Sequence, residues 1–179
     1  MNNIVILIPS RLAATRLPNK PLLKINNMSI INHVYKIAKS SLVDQCYVAT
    51  GDKEIFEEVT KNGGKCILTQ SDHVTGTDRI FEAYQKLEND NIEYVVNLQG
   101  DEPMLDIKDI NNLITKTIEK KSKVSTLACK IENVGLLSKK NIVKVITNEK
   151  LEVNKLSSAI SFSREVSNTI QNIYHHIGI

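Results

Sequence analysis

The sequence predicts an α/β fold, with a mostly parallel sheet that carries helices on both faces. Five consecutive apolar residues, Ile4 to Ile8, are typical of a strand that is buried on both sides. Helical and strand-like segments then alternate as β-α-β-α-β, a pattern that predicts parallel strands joined by right-handed crossovers. The chain has 179 residues, so we expect a single domain with a real hydrophobic core.

A loop with three cations follows the first strand. Pro9 has no N–H to donate to a neighbouring strand, and we expect the strand to end there. Arg11, Arg16 and Lys20 lie beyond it, in a stretch that two prolines stiffen. Ligands of α/β proteins lie at the carboxyl ends of such strands, so this loop is a candidate anion site. The alternative is a solvated basic loop.

The use of arginine in this chain favours the anion site. Four arginines and nineteen lysines are present, and two of the four arginines lie in this loop. A guanidinium offers a planar fork that grips phosphate or carboxylate, whereas lysine supplies most of the general surface charge. We therefore expect the loop to bind an anionic ligand.

Two helices and two strands are predicted between this loop and residue 68. Ser29 precedes regularly spaced apolar residues and is a plausible helix cap, as is Asp52 for the second helix. Asn62, Gly63 and Gly64 would end that helix. In order, the elements are a helix from Ser29 to Ser40, a strand from Tyr47 to Thr50, a helix from Asp52 to about Lys61 and a strand from Lys65 to Leu68.

The stretch from Thr69 to Arg79 is polar and rich in hydroxyl groups, and it leads into an amphipathic helix with Thr77 or Asp78 as its cap. Free backbone N–H groups at such a helix start can hold an anion or the polar edge of a ring. An ordinary capped loop is the alternative, but Arg79, the third arginine, favours a functional loop. His73 alone is more simply a solvated loop residue.

A pair of carboxylates follows the fourth predicted strand. Tyr94 to Leu98 runs directly into Gln99-Gly100-Asp101-Glu102-Pro103. The glycine would let a ligand approach closely, and a carboxylate such as Asp101 at the carboxyl end of a strand suits Mg²⁺. A glycine–aspartate turn without a metal is the alternative.

The rest of the chain is predicted as one helix, three short strands and a final segment. These are Asp106 to Glu119, then Val124 to Ile131, Ile142 to Thr147 and Ser157 to Ser163, and finally Asn172 to Ile179. The third strand alternates polar and apolar residues, as a half-exposed strand does, and Arg164 follows it. His175 and His176 would point to opposite sides of a strand, so they are a poor metal-binding pair.

Composition narrows the function classes. The net charge of +3 and the scarcity of aromatic residues argue against a nucleic-acid binder. The three cysteines are scattered and odd in number, which favours reduced, buried thiols over a disulfide or a zinc site. No secretion signal and no apolar run of membrane-spanning length is present, so we expect a cytoplasmic protein without membrane insertion.

Several segments, in the same order, resemble those of 3-deoxy-manno-octulosonate cytidylyltransferases, the CMP-Kdo synthetases. Ile8 to Leu22 resembles the opening signature of that family, Asp72 to Arg79 its cytidine loop and Asn97 to Pro103 its metal segment. Later family segments are similar to Asn141 to Val145, Phe162 to Arg164 and His175 to Ile179. The resemblance spans the whole chain, and we identify the sequence from it as a member of this family.

The resemblance implies a Rossmann-like fold of the nucleotide-diphospho-sugar transferase type. It also implies a reaction that joins CTP and Kdo into CMP-Kdo and pyrophosphate for lipopolysaccharide biosynthesis, with Mg²⁺ as cofactor and a homodimer as the assembly. The implied catalytic residues are Arg11, Lys20 and Asp101, and Asp101 would also bind the metal. The implied nucleotide-binding residues are Pro9, Arg11, Arg16, Lys20, Thr75, Gly76 and Arg79, and the implied sugar-binding residues are Gln99, Arg164 and His176.

The sequence departs from the family pattern at three places. Asn19 stands where the family usually has Gly, although Asn also tolerates a left-handed backbone. Glu165 and Val166 follow the Phe-Ser-Arg segment, where the family normally has Pro. Family chains continue beyond their His-x-Gly-Ile segment to a second aspartate that binds Mg²⁺. The chain thus resembles a truncated member that lacks the C-terminal part of the family domain, and we expect little or no synthetase activity from it alone.

Two other interpretations stay open. One is a catalytically impaired remnant that binds nucleotide without turnover. The other is a synthetase for a different sugar acid, such as a sialic acid, although the segment Gln99 to Pro103 differs from the corresponding strand end of the sialic acid type.

Overall fold

The computed structural model describes residues 3–13, 17–166 and 171–179, in two compact units, Met1–Ile110 and Asn111–Ile179. The first unit contains a parallel sheet with helices, and the second contains an antiparallel sheet. This division does not decide whether residues 1–179 form one domain, which stays a prediction. Within the described ranges, no helix is long and apolar enough to cross a membrane.

The first unit alternates strands and helices, as predicted. Its elements are β1 (Ile4–Ser10), β2 (Lys24–Ile25), β3 (Met28–Ser29), α1 (Ile30–Lys39), β4 (Gln45–Thr50), α2 (Lys53–Lys61), β5 (Cys66–Leu68), α3 (Gly76–Lys86) and β6 (Tyr94–Asn97). Helix α4 (Ile107–Glu119) begins in this unit and ends in the second. Four of the strands form a sheet in the order β5-β4-β1-β6, and all of its pairs are parallel. The predicted parallel sheet is confirmed, with β1 at an inner position.

Helices cover both faces of this sheet. Val5 and Leu7 of β1 belong to a buried cluster that includes residues of α3. Alternate residues of a strand face opposite sides, so Ile8 faces away from α3. Side chains of Ile8 and of Ile31 in α1 both lie 3.3–3.5 Å from the point that a Cβ on Gly100 would occupy. This shared neighbour places α1 on the second face.

Pro9 lies inside β1 and does not end it, contrary to the sequence prediction. The strand continues to Ser10 in register with β4. Leu7, two residues before Pro9, accepts a hydrogen bond from Leu98 N beyond the end of β6. The backbone N–H and C=O groups of alternate residues in a strand point to the same neighbouring strand, so those of Pro9, like those of Leu7, point toward β6. The pairing with β6 has already ended at Leu7, so the missing N–H of Pro9 has no strand to bond to. The proline therefore removes no ladder hydrogen bond.

Two of the predicted helix starts are confirmed, but the side chains predicted to cap the helices do not cap them. Helix α1 begins after Ser29 and α2 after Asp52, as predicted, but neither side chain caps its own helix within the described residues. The buried Ser29 hydroxyl has no hydrogen-bond partner in that part of the chain. Helix α3 begins earlier than predicted. Its cap is Thr75, not Thr77 or Asp78, because Thr75 and Asp78 form a reciprocal capping box.

A short hairpin between the cationic loop and α1 was not predicted. Strands β2 and β3 are only two residues each and pair antiparallel. The turn residues Asn26 and Asn27 have φ of 49° and 66°. A two-residue hairpin turn needs this left-handed backbone, and Asn adopts it more readily than most residues. The Asn-Asn pair was the signal in the sequence.

The second unit contains an antiparallel sheet in the order β7-β10-β8-β9. Its strands are β7 (Leu127–Lys130), β8 (Lys144–Thr147), β9 (Ala159–Ser163) and β10 (Ile173–Ile177). The first three lie where strands were predicted but are shorter, and β10 lies within the final segment, Asn172 to Ile179. Strand β9 was predicted to be half-exposed, yet Ile160 and Phe162 are 63% and 51% exposed, and Ser161 between them is exposed too. This strand is at the edge of the sheet and pairs with β8 alone.

A fully buried lysine holds two segments of the second unit together. Lys144 Nζ donates to the carbonyl oxygens of Lys139 and Arg164, both at 2.7 Å. Burying an ammonium group is unfavourable unless hydrogen bonds satisfy it, and these two carbonyls supply them. The contact also fixes the backbone of Arg164, one of the predicted sugar-binding residues.

Candidate functional site

Three segments that resemble the family, Ile8 to Leu22, Asp72 to Arg79 and Asn97 to Pro103, meet at the carboxyl end of β1. A Cβ on Gly100, after β6, would lie 2.8 Å from the Pro9 carbonyl oxygen. A Cβ on Gly76, the first residue of α3, would lie 3.3 Å from the Pro9 ring. The loops after β1 and β6 and the start of α3 are therefore adjacent. Gly100 makes room for the chain itself, whereas the sequence had suggested room for a ligand.

The cationic loop and the predicted metal ligand are in direct contact. Lys20 Nζ lies 2.7 Å from Asp101 Oδ2, and the two side chains are 34% and 50% exposed. Lys20 opens a short 3-10 turn, and Asn19 before it has φ of 56°. Asn19 thus has the left-handed backbone that asparagine was expected to tolerate at this position. An ion pair this exposed adds little to stability, so both groups are available to a ligand.

The base of the cationic loop is fixed at Leu12. Its N–H donates to Asp52 Oδ2 at 2.9 Å, and its carbonyl oxygen accepts from Asn19 N at 3.3 Å. Arg11, the residue before Leu12, is exposed. Arg16 lies outside the described residues, so its place in the site stays a prediction. Sequence reasoning assigned Asp52 to helix capping and missed its contact with the loop.

Arg79 is buried, with 2% of its surface exposed, and its guanidinium binds the preceding loop. It donates to Thr69 Oγ1, to the Gln70 carbonyl at 2.9 Å and to the Ser71 carbonyl at 3.4 Å. Burial lowers the pKa of Arg79, while nearby carboxylates, chiefly Asp52, oppose that shift. The guanidinium thus positions the loop, and the predicted contact of Arg79 with a nucleoside stays a prediction.

Thr75 and Gly76 place the start of α3 next to the end of β1. Thr75 Oγ1 accepts from Asp78 N at 3.1 Å and donates to Asp78 Oδ2 at 2.6 Å, and both Thr75 and Gly76 are exposed. The first N–H groups of an α-helix have no partner within the helix. Asp78 N is taken by the Thr75 cap, so Gly76 and Thr77 are the N–H groups left for an anion or a polar ring edge, and that role stays a prediction.

Glu82 is a further charged residue that sequence reasoning missed. Its carboxylate accepts hydrogen bonds from Gln70 N and Lys86 Nζ and contacts the His73 ring. Burial alone would raise the pKa of Glu82, but the hydrogen bonds from Lys86, His73 and Gln70 outweigh it and lower that pKa to about 2. His73, predicted to be solvated, instead contacts the Glu82 carboxylate. The i,i+4 spacing of Glu82 and Lys86 was the only signal in the sequence.

The depressed pKa of Glu82 makes the loop sensitive to acid. The contribution of a carboxylate with a lowered pKa is present above its unfolded-state pKa and disappears as pH falls through its folded-state pKa. We expect wild type to exceed Glu82→Gln in unfolding free energy by on the order of 1–2 kcal/mol at pH 6. That difference should shrink between about pH 4.5 and pH 2.

Urea titrations across this pH range measure the difference between the two proteins. Glu57→Gln, at an exposed position in α2, serves as the matched control. A constant difference between wild type and Glu82→Gln from pH 6 to pH 2 would show that the Glu82 charge does not support the fold.

The three predicted sugar-binding residues are divided between the units. Gln99, in the first unit, is half-buried and donates to Asn97 Oδ1 at 3.2 Å. Arg164, in the second unit, is exposed and donates to the Lys140 carbonyl at 2.9 Å. His176 Nε2 lies 2.8 Å from Thr126 Oγ1, and burial lowers the pKa of this ring. The roles of all three toward a sugar acid stay predictions.

The described residues offer a metal only a partial set of ligands. Among them, no group of three or more His, Cys, Asp or Glu side chains could hold a metal ion. Asp101 is half exposed, and one of its oxygens is engaged by Lys20. One carboxylate fits a hard divalent cation that also binds phosphate oxygens and water, and does not fit a cation held by protein alone. All three cysteines are free thiols, but only Cys46 is buried as predicted, whereas Cys66 is half-buried and Cys129 is exposed.

Comparison with known proteins decides the family. A sequence profile described as Cytidylyltransferase matches residues 5–179. A 3-deoxy-manno-octulosonate cytidylyltransferase from Thermodesulfovibrio yellowstonii is 41% identical over 98% of this chain and 73% of its own length. The chain belongs to this family of cytidylyltransferases. Another member, from Rickettsia bellii, is 35% identical over 99% of this chain and 70% of its own length. The resemblance recognised in the sequence segments is confirmed.

Solved structures agree with this family and with the predicted fold class. The structure of CMP:2-keto-3-deoxy-manno-octonic acid synthetase complexed with CTP matches with a TM-score of 0.83 and 34% identity, over 99% of this chain and 72% of that one. The structure of 4-diphosphocytidyl-2C-methyl-D-erythritol synthase matches with a TM-score of 0.60 at 13% identity, a likeness that shows the fold alone. The Rossmann-like α/β fold is thereby confirmed.

Proposed function

We propose that this chain binds CTP and transfers its cytidylyl group to 3-deoxy-manno-octulosonate, for lipopolysaccharide biosynthesis. The meeting of the cationic loop, Asp101 and the start of α3 around Pro9 carries the proposal. The region around Pro9 combines cations that can bind phosphates, a carboxylate that can bind a divalent cation and backbone N–H groups that can donate to an anion. Relatives named for this activity, and a related synthetase solved with CTP, support the choice of substrates.

The proposed reaction depends on positioning and charge neutralisation. The anomeric hydroxyl oxygen of the sugar bonds to the α-phosphorus of CTP, pyrophosphate leaves with the electrons of the broken P–O bond, and the hydroxyl proton passes to solvent. Arg11 and Lys20 would hold the triphosphate and stabilise the leaving pyrophosphate. Lys20 pairs with Asp101 in the structure, so a bound phosphate would share or replace that partner.

A divalent cation, which we propose is Mg²⁺, would be held by Asp101 together with phosphate oxygens. When bound, it neutralises phosphate charge and lowers the pKa of a coordinated hydroxyl. Gln99, Arg164 and His176 are proposed to bind the sugar acid. A family-type homodimer and a cytoplasmic location complete the proposal, supported by family membership and by the sequence composition.

Pyrophosphate release in the presence of CTP, Kdo and Mg²⁺ tests the proposed function, with CTP affinity measured by calorimetry on the same preparation. The proposal expects CTP to bind more tightly than GTP, and CMP-Kdo to form from Kdo in preference to a sialic acid. CTP binding without turnover would contradict the proposed transfer and favour the alternative, an impaired nucleotide binder. Absence of CTP binding would contradict the proposal.

Replacing Asp101 with asparagine is expected to weaken the effect of Mg²⁺ on CTP binding while leaving the fold intact. The amide keeps the size and one acceptor oxygen but loses the charge that a hard cation prefers. The Mg²⁺ concentration for half-maximal CTP binding should rise about tenfold, as for the loss of one charge-assisted contact of roughly 1.5 kcal/mol. Asp90→Asn, at an exposed position, is the control. Identical Mg²⁺ titrations for wild type and Asp101→Asn would make Asp101 a turn residue only.

A further inference from the structure

The carboxyl end of β4 contacts two loops of the proposed site. A Cβ on Gly51 would lie 2.5 Å from Ser71 Cα and 2.8 Å from the Gln70 carbonyl oxygen, so only glycine lets that loop approach. The next residue, Asp52, accepts the hydrogen bond from Leu12 N at the base of the cationic loop. One short segment after β4 thus sets the place of both loops.

Asp52 stands at the N-cap position of α2 but is directed to a distant partner. An aspartate at this position ordinarily accepts from the first N–H groups of its own helix. Here Oδ2 accepts at 2.9 Å from Leu12, 40 residues away in sequence, and capping of α2 by this side chain is absent among the described contacts. Its own N–H donates to Thr50 Oγ1 at 3.1 Å, and Thr50 is fully buried. The sheet therefore fixes the carboxylate that holds the loop.

Leu12 connects Asp52 to both ends of the cationic loop through its own backbone hydrogen bonds. Its N–H is held by Asp52, and its carbonyl oxygen accepts from Asn19 N next to Lys20. Arg11 is adjacent to the fixed peptide. Burial is the main cause of the lowered pKa of Arg79; Asp52 opposes that shift and Arg11 adds to it.

We infer that Asp52 is a positioning residue for the triphosphate site. By holding the Leu12 N–H, its carboxylate fixes where Arg11 and the start of the cationic loop lie, and it does so without touching the ligand. The inference rests on the proposed function, in which Arg11 holds a phosphate of CTP.

Amide hydrogen exchange at Leu12, measured by NMR on the full chain without nucleotide, tests the contact itself. Exchange should be faster by about tenfold in Asp52→Ala, since one charge-assisted hydrogen bond is lost. Asp52→Asn keeps an acceptor oxygen, so its Leu12 exchange rate should lie between those of Asp52→Ala and wild type. If Asp52→Ala fails to fold, Asp52→Asn takes its place in the test. Glu54→Gln, which removes an exposed carboxylate from the first turn of the same helix, should leave Leu12 exchange unchanged. Unchanged exchange in Asp52→Ala and Asp52→Asn would overturn the inference.

Calorimetry with CTP and with cytidine tests the consequence for Arg11. Asp52→Ala should weaken CTP binding by about tenfold and leave cytidine binding unchanged, because only CTP carries phosphates for Arg11. In an Arg11→Ala background the same substitution should cost clearly less CTP affinity, and any remaining loss is assigned to Lys20 at the other end of the loop. Equal losses for CTP and cytidine, or equal losses in both backgrounds, would overturn the inference. A wild-type chain that binds no CTP would contradict the proposed function instead, and Leu12 exchange would then decide whether Asp52 holds the loop.

Discussion

Replacing Arg11 with alanine is expected to weaken CTP binding by about 10- to 100-fold, because a charge-assisted contact to phosphate contributes roughly 1.5–3 kcal/mol. Arg11 is exposed beside the fixed peptide of Leu12, so the substitution removes a cation without creating a cavity. The fold should be unaffected, and calorimetric titration with CTP measures the loss.

Arg11→Lys tests whether the planar guanidinium of Arg11, and not only its positive charge, is needed for CTP binding. Lysine restores the charge but not the fork that grips two phosphate oxygens, so it should recover only part of the affinity. Lys36→Ala, an exposed basic residue in the last turn of α1, is the control for net charge. If wild type and Arg11→Ala bind CTP equally well, Arg11 does not contact the nucleotide. If Arg11→Ala and Lys36→Ala lose the same CTP affinity, the effect of Arg11 comes from net charge alone.

Replacing Arg79 with methionine is expected to lower the free energy of unfolding by roughly 2–4 kcal/mol, since it leaves buried acceptors without their donor. The guanidinium bonds to Thr69 Oγ1 and to the carbonyls of Gln70 and Ser71. The loop 69–71 should loosen with it, so CTP affinity is expected to fall as a secondary effect. Urea unfolding measures the first effect and calorimetry the second.

Arg79→Lys and an exposed control separate a structural role from a nucleotide contact. Lysine keeps a donor and the charge, so we expect a smaller loss of stability than with methionine. Lys61→Met, at the exposed end of α2, should change neither property. A large loss of CTP affinity in Arg79→Met with unchanged unfolding free energy would mean that the guanidinium acts on the nucleotide and not on the loop.

Local patterns were enough to predict the parallel sheet and the positions of most elements. The apolar run Ile4–Ile8 gave a strand that is buried along its whole length, and the starts of α1 and α2 were placed correctly. Asn19 was expected to tolerate a left-handed backbone and does so, with φ of 56°. Each of these features depends on neighbours in sequence, which is why the sequence alone indicated them.

Features that depend on distant partners were not predicted. Pro9 fits inside β1 because the neighbouring ladder has ended on its N–H-free side, which the residue type alone does not reveal. Asp52 accepts from a residue 40 positions away, and Lys20 pairs with Asp101 across 81 positions. Burial of Lys144 likewise depends on two carbonyls brought near by the fold. In each case the residue was recognisable, but its partner was set by tertiary structure.

Mapping of backbone amide shifts on addition of CTP is the most direct test of the claim that nucleotide binds where the three segments meet. Shifts are expected for Leu12, Lys20, Gly76 and Gly100, which surround Pro9 and the Lys20–Asp101 pair. They should be absent from the polar cleft lined by Lys24, Asn32, Glu58 and Lys61, which serves as an internal comparison. Shifts confined to that cleft, or a CTP titration that leaves the amides around Pro9 unchanged, would contradict the assignment of the site.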